Sequence, residues 1–228
     1  MNFASVMAFR KELQQQEMPS YYSGWAHLGF NAVLLLAASI FCLTRLNAPT
    51  WLEWLTLPLT YLFGNLAVWV IHKYPLHRHW KWMPYSYKVH TKWHHHYFTQ
   101  ECYMFENSKD FYMLFFPPMV IFLFCAIYLP ANYFVAMKFL PPNVVWLYLL
   151  GSALYFISYE VVHFASHLPP EAKILKIGFF RYMRRHHQVH HDTRLMTDYN
   201  FNIVFPMSDW LFGTLYRESS ETDTKVRN

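Results

Sequence analysis

With 228 residues the chain has the length of one domain, but at 54% hydrophobic, 21% aromatic and 14% charged it is poor in charge beside the roughly 25% of an ordinary soluble domain. The net charge of +5 calls for no nucleic acid, because a basic face beside an anionic leaflet accounts for it. Cys42, Cys102 and Cys125 have no paired spacing, which argues against a disulfide framework and a zinc ribbon.

Residues 1–24 carry Arg10, Lys11, Glu12 and a glutamine run before any long apolar stretch, so no signal peptide is expected. An amphipathic helix lying on the membrane surface is expected there instead. Four runs then approach the roughly 20 residues that cross a bilayer. The first extends from about Trp25 to Thr44, and the second from about Trp51 to Ile71 with Glu53 near its start. The third begins near Phe111 and reaches at least Leu129, with Pro117 and Pro118 expected to bend it. The fourth extends from about Val144 to Val162, with Glu160 near its end. Short connections, Asn47 to Thr50 and around Pro130 to Asn143, pair the spans into two helical hairpins. The fold expected is therefore all-α and integral to the membrane. Only Arg45, just before the first short connection, and Lys138, in the second, of 19 Lys and Arg, lie at that end of the hairpins. The positive-inside rule then places both termini and the segment 72–110 in the cytoplasm. The tail 217–228 is polar.

The histidines carry the chemistry. Of 14, all but His27 lie in two blocks that follow the second and fourth spans. The first block holds His72 and His77, then His79, then His90, His94, His95 and His96. The second holds His163 and His167, then His186, His187, His190 and His191. On an α-helix, positions three and four apart share a face. That spacing groups His187 with His190 and His191, His163 with His167, and His90 with His94. His95, at about 140° from His90, is directed toward a second ion. Pro75 is expected to break the helix between His72 and His77.

Neutral imidazole is a common ligand for iron, zinc and copper. Ten of them, His72, His77, His90, His94, His95, His163, His167, His187, His190 and His191, are too many for one ion and suit two. His79, His96 and His186 read as neighbours rather than ligands. Glu160, one turn before His163, is expected to accept a hydrogen bond from a ligating histidine, with Asp192 a further supporting group and Asp198, Asn200 and Asp209 lesser candidates. Trp80, Trp82, Tyr85, Tyr87, Phe98 and Phe115 would line a lipid entry or anchor at the interface.

These clusters, the run Tyr159 to His167 and the ending Asn200 to Thr214 resemble the fatty acid hydroxylase superfamily, which includes fatty acid 2-hydroxylases and sterol desaturases. The resemblance runs from about 60 to 216. It implies four transmembrane helices, a cytosolic helical cap and a dimetal centre at the membrane face. The second cluster has one residue more than the HxxHH of fatty acid 2-hydroxylases. That leaves open whether His94 and His95, or His95 and His96, stand beside His90.

The activity expected is oxidation of an acyl chain or sterol-like lipid by two irons and O2, as hydroxylation or desaturation. Electrons are expected from a separate cytochrome b5- or ferredoxin-like donor, in a bacterial inner membrane or the endoplasmic reticulum. Three other readings fit less well. A metal transporter would hold its ligands near the bilayer midplane. A zinc hydrolase needs only about three. A ferritin-like di-iron bundle needs two Glu-x-x-His motifs, and only Glu160 to His163 is present.

Overall fold

The structure is a computed structural model that describes residues 2–218, so most of the expected polar tail lies outside the described residues. Every regular element among the described residues is helical. Helix α1 (Phe3–Glu17) starts where the Asn2 side chain accepts the Ser5 amide at 2.9 Å. Val6, Arg10 and Leu13, spaced four and three apart, face inward. Leu13 joins a cluster with Trp93, Tyr97, Phe98 and Phe111. This face is therefore packed on protein.

Four helices are long and apolar enough to cross a membrane: α2 (Gly24–Thr44), α3 (Trp51–Leu76), α5 (Pro118–Ala136) and α6 (Pro142–Ser166). The segment 84–97 between the second and third of these forms α4. Helices α7 (Gly178–His190) and α8 (Met207–Leu211) follow α6. The spanning helices turn large apolar side chains outward, among them Val33, Ile40, Leu59, Phe63 and Phe134, and bury polar Asn31, Ser39, Thr60 and Asn65. That inversion of the soluble pattern is the one lipid favours.

Helix α6 is the central post, packed on both α2 and α3. A Cβ at Gly151 would lie 2.9 Å from Thr60 Cβ, so only glycine lets α6 and α3 approach this closely. Glu53, a charge near the start of a span, sits in a capping box with Thr50 at the end of the helix, which explains its tolerance there. At the same end, Asn47 and Asn143 exchange hydrogen bonds of 3.0 and 2.9 Å, tying the α2–α3 turn to the start of α6. The opposite ends of α3 and α6 carry His72 and His163.

Proline shapes the helices in a way the spacing alone does not show. Pro75 does not break α3. The chain widens into a π-helical turn, His72–Leu76, that contains it. Pro130 does not end the third span either, because a π turn at Phe124–Tyr128 precedes it and the helix continues to Ala136. A wider i→i+5 turn shifts the hydrogen-bond register, so the missing proline N–H is accommodated. Pro117 and Pro118, by contrast, do not merely bend a helix begun at Phe111. A short helix Phe111–Leu114 ends, the chain is extended at Phe115 and Pro117, and α5 starts anew at Pro118. This break frees the carbonyls of Met113, Leu114 and Phe116 for side chains.

Candidate metal centre

Two sets of imidazoles meet beyond the ends of α3 and α6. In one, His72, His77, His90, His95 and His190 place a ring nitrogen each within 4.8 Å of one another. In the other, His94, His163, His167 and His187 do the same. His191, the tenth residue of the sequence-derived set, has its Nε2 at 3.2 Å from that of His94 and 3.1 Å from that of His187, and so completes the second group at five. The His95 and His191 rings stack at 4.3 Å across the boundary, so the two sets are adjacent.

Helix pitch decides which histidine goes where. The pairs His72/His77 and His90/His95 are five residues apart, and in each the first histidine lies on a π-helical stretch, His72–Leu76 or Lys88–His94, and the second is the residue that ends it. An i→i+5 turn stacks residues five apart. Both pairs therefore face the first set. The pairs His163/His167 and His187/His191 are four apart at the ends of α-helical α6 and α7, and both face the second. Two groupings expected from uniform α pitch are thereby corrected. His90 does not share a set with His94, because its partner on the π turn is His95. His190 separates from His187 and His191, with its ring 6.2 Å from that of His191 and nearly perpendicular to it. The second cluster resolves to His94 and His95. His96 instead turns its Nδ1 to the Thr91 carbonyl at 3.1 Å. His79 packs edge-on against Tyr87, outside both sets.

The groups that orient these rings are backbone carbonyls. Nδ1 of His72 bonds Phe201 O at 2.5 Å, that of His94 bonds Met113 O at 2.8 Å, and that of His163 bonds Leu114 O at 2.9 Å. His167 uses Tyr103 O at 2.7 Å, His190 uses Tyr199 O at 2.8 Å, and His191 uses Phe98 O. A carbonyl only accepts, so each Nδ1 carries the proton and each Nε2 is left with a lone pair.

Those lone pairs converge. His72 and His190 bring Nε2 atoms to 3.0 Å, as His94 and His191 do at 3.2 Å, while Nε2 of His163 and of His167 is buried with no partner. Facing lone pairs repel unless a cation sits between them. Adjacent nitrogens around an octahedral ion with bonds of about 2.1 Å are about 3.0 Å apart. The contacts here run from 2.8 to 3.2 Å, so the donor set fits metal. Burial, aided by neighbouring imidazoles, pushes His77, His90, His95, His167, His187, His190 and His191 well below the ordinary histidine range, and burial lowers His94 to about 4. The rings are neutral at pH 7, the form that binds metal.

The carboxylates expected to orient the ligating histidines make no hydrogen bond to any of the ten. Glu160 accepts from Phe116 N at 3.1 Å and Asn31 Nδ2 at 3.2 Å. It fixes the broken segment 113–116 rather than an imidazole, because that segment wedges between α2 and α6. Asp192 is taken by Arg194, two residues on, at 2.6 Å. Asp198 accepts from the adjacent Thr197 hydroxyl. Asp209 has the larger role: fully buried, it accepts from the amides of Phe201 and Asn202 at 2.9 and 2.8 Å and from Thr214 Oγ1 at 2.7 Å. It lies 3.3 Å from His186 Nε2. Asn200, in the left-handed region at φ 59°, donates to His186 O and accepts from Tyr216 N. Asn65, buried on α3, was not singled out by its sequence context. It accepts from Ser208 and donates to Phe205 O. Of the aromatics, Trp80, Trp82 and Tyr85 are exposed, but Phe98 and Phe115 are core residues.

The fatty acid hydroxylase family profile matches residues 57–214, spanning the four spacing clusters. The chain belongs to the fatty acid hydroxylase family. Membership points to an oxidoreductase, in keeping with histidine clusters compatible with a metal site. A solved structure described as full-length scs7p, with only its hydroxylase domain visible, shares the fold at a TM-score of 0.58 and 19% identity, covering 87% of this chain and 68% of that one. No curated protein matches the chain.

Proposed function

We propose that this protein is a di-iron lipid hydroxylase that uses O2 to oxidise a C–H bond of an acyl chain or sterol-like lipid at the membrane face. The observation that carries the reading is the convergence of ten histidines, nine buried and His90 half-buried, into two adjacent sets of five, six of them with Nδ1 held by a carbonyl. Iron bound there would supply reductive activation of O2, one oxygen atom entering the C–H bond and the other leaving as water, with two electrons and two protons consumed. Five nitrogens in each set leave room for a further ligand from solvent or O2.

The chain's own residues orient and insulate. His72 and His163 sit where α3 and α6 leave the bilayer, so the sets lie within reach of a lipid that stays in the membrane. Nine of the ten histidines are buried and His90 is half-buried, an enclosure that limits the access of bulk water. The concentration of Lys and Arg in the termini and the segment 72–110 supports two hairpins with a helical cap and both termini in the cytoplasm. An electron-transfer protein on that side would supply the electrons.

Glu160 divides support from ligation. Glu160→Ala orphans the Phe116 amide and loosens Met113 O and Leu114 O, which orient His94 and His163. It should weaken metal at the second set about 10-fold and leave the first unchanged. Glu160→Gln keeps an acceptor for Phe116 N and should restore the affinity. Metal titration of both variants checks this, and equal weakening at both sets would count against it.

The function is tested by metal content after anaerobic purification in mild detergent, followed by a lipid product screen with a chemical reductant and O2. About two irons per chain and a product 16 mass units heavier support it. A product lighter by two hydrogens would make the enzyme a desaturase. Absence of metal would overturn the reading.

A further inference from the structure

Arg10 on α1 is far in sequence from every histidine cluster, yet it is only 4% exposed. Its guanidinium donates through Nε to Tyr97 O at 2.7 Å and through Nη2 to Cys102 O at 2.6 Å and Met104 O at 3.2 Å. It also lies 4.9 and 5.1 Å from the ring centres of Tyr97 and Phe98. The nearest carboxylate, Glu106, is 4.0 Å away and half exposed. A buried cation satisfied by carbonyl dipoles instead of a close counter-ion is costly to desolvate. What it holds is therefore informative.

The three carbonyls bracket the segment 97–104. Within it lie Phe98 O, the acceptor for His191 Nδ1, and Tyr103 O, the acceptor for His167 Nδ1. The Tyr103 ring also packs against His167, tilted by 30° with centroids 4.3 Å apart. The first set takes its carbonyls, Phe201 O and Tyr199 O, from a different loop that Arg10 does not touch.

We propose that Arg10 is a positioning residue for one of the two metal sites: from α1 it clamps the segment 97–104 so that Phe98 and Tyr103 present their carbonyls to His191 and His167. The affinity of the second set then depends on the N-terminal helix, and that of the first does not. This inference rests on the dimetal reading above. A fork of donors is needed, since the three acceptors are spread over eight residues and a lysine ammonium cannot span them in the same plane.

The test is anaerobic titration of the full-length, metal-stripped protein in mild detergent with Fe(II), and with Co(II) as a spectroscopic probe. The variants are Arg10→Met, Arg10→Lys and Gln14→Ala. Gln14 ties α1 to Tyr97 Oη and Asp110 without touching a carbonyl of the segment, so it reports on helix docking alone. Wild type should show two binding events. Arg10→Met should weaken one of them about 10- to 100-fold, the event that His187→Ala also removes, and leave the other in place. Arg10→Lys should fall between, and Gln14→Ala should keep both. Should Arg10→Met not fold, Arg10→Lys carries the comparison. Two unchanged events, equal weakening of both, or the same loss in Gln14→Ala would overturn the clamp while leaving the dimetal reading intact. A wild-type protein that binds no metal would overturn both.

Discussion

Replacing His187 and His191 together with alanine will lower bound metal from about two ions per chain to about one and abolish lipid oxidation. The two residues are the i, i+4 pair at the end of α7, and their Nε2 atoms lie 3.1 Å apart in the second set. Their loss leaves His94, His163 and His167 around a buried volume that no longer closes on an ion. The first set keeps all five of its nitrogens, including that of His190 on the same helix, so its ion should remain. Activity should vanish even though one site is filled, because residues that act as a unit contribute non-additively. His79→Ala and His96→Ala, which lie outside both sets, serve as controls and should leave metal and product unchanged. Metal analysis beside a product assay decides the matter: two ions retained in the double variant would mean that the second set is not a metal site.

Asp209→Asn should lower the thermal midpoint by about 5–10 °C and selectively weaken metal at the first set. The buried carboxylate accepts three hydrogen bonds, from Phe201 N, Asn202 N and Thr214 Oγ1. An asparagine keeps one oxygen and turns an NH2 toward at least one of those donors. An unsatisfied buried donor costs about 1–3 kcal/mol, and the loss of charge assistance adds to it. The site is affected through the backbone. Asp209 holds the loop whose Phe201 carbonyl orients His72 at 2.5 Å. Bonds from Asn202 Nδ2 to Asn65 O and from Asn65 Nδ2 to Phe205 O pin the same loop to α3, so it should loosen rather than detach. Thr214→Val removes one hydroxyl bond to Asp209 and one from Trp69 Nε1, and should cost less. Thermal unfolding in detergent with metal titration reads both effects. An unchanged midpoint, or weakening confined to the second set, would refute the assignment. With both expected effects seen, Asp209 and Arg10 stand as counterparts, each supporting the carbonyls of one set.

The sequence by itself determined the spans, the histidines and the family. Runs of apolar residues near 20 long are legible because lipid leaves no other way to satisfy a backbone, and the four spans occur at nearly the expected places. The ten ligand candidates were legible because imidazoles at helical spacing are rare outside a metal site. The four clusters in order carried the resemblance that the family match bears out.

The tertiary structure alone decided how the ten divide. The division depends on local pitch: π turns at His72–Leu76 and Lys88–His94 bring residues five apart together, whereas α-helical ends bring residues four apart together. A uniform period of 3.6 cannot show that change, although the repeated five-residue spacing of His72/His77 and His90/His95 was its trace in the sequence. Tertiary structure also decided what orients the rings. Carboxylates are visible as residue types, so Glu160 and Asp192 attracted the role. The groups that hold it are carbonyls of Phe98, Tyr103, Met113, Leu114, Tyr199 and Phe201, which every residue type possesses. Only the path of the chain, where helices stop and leave their last carbonyls free, selects which of them face an imidazole.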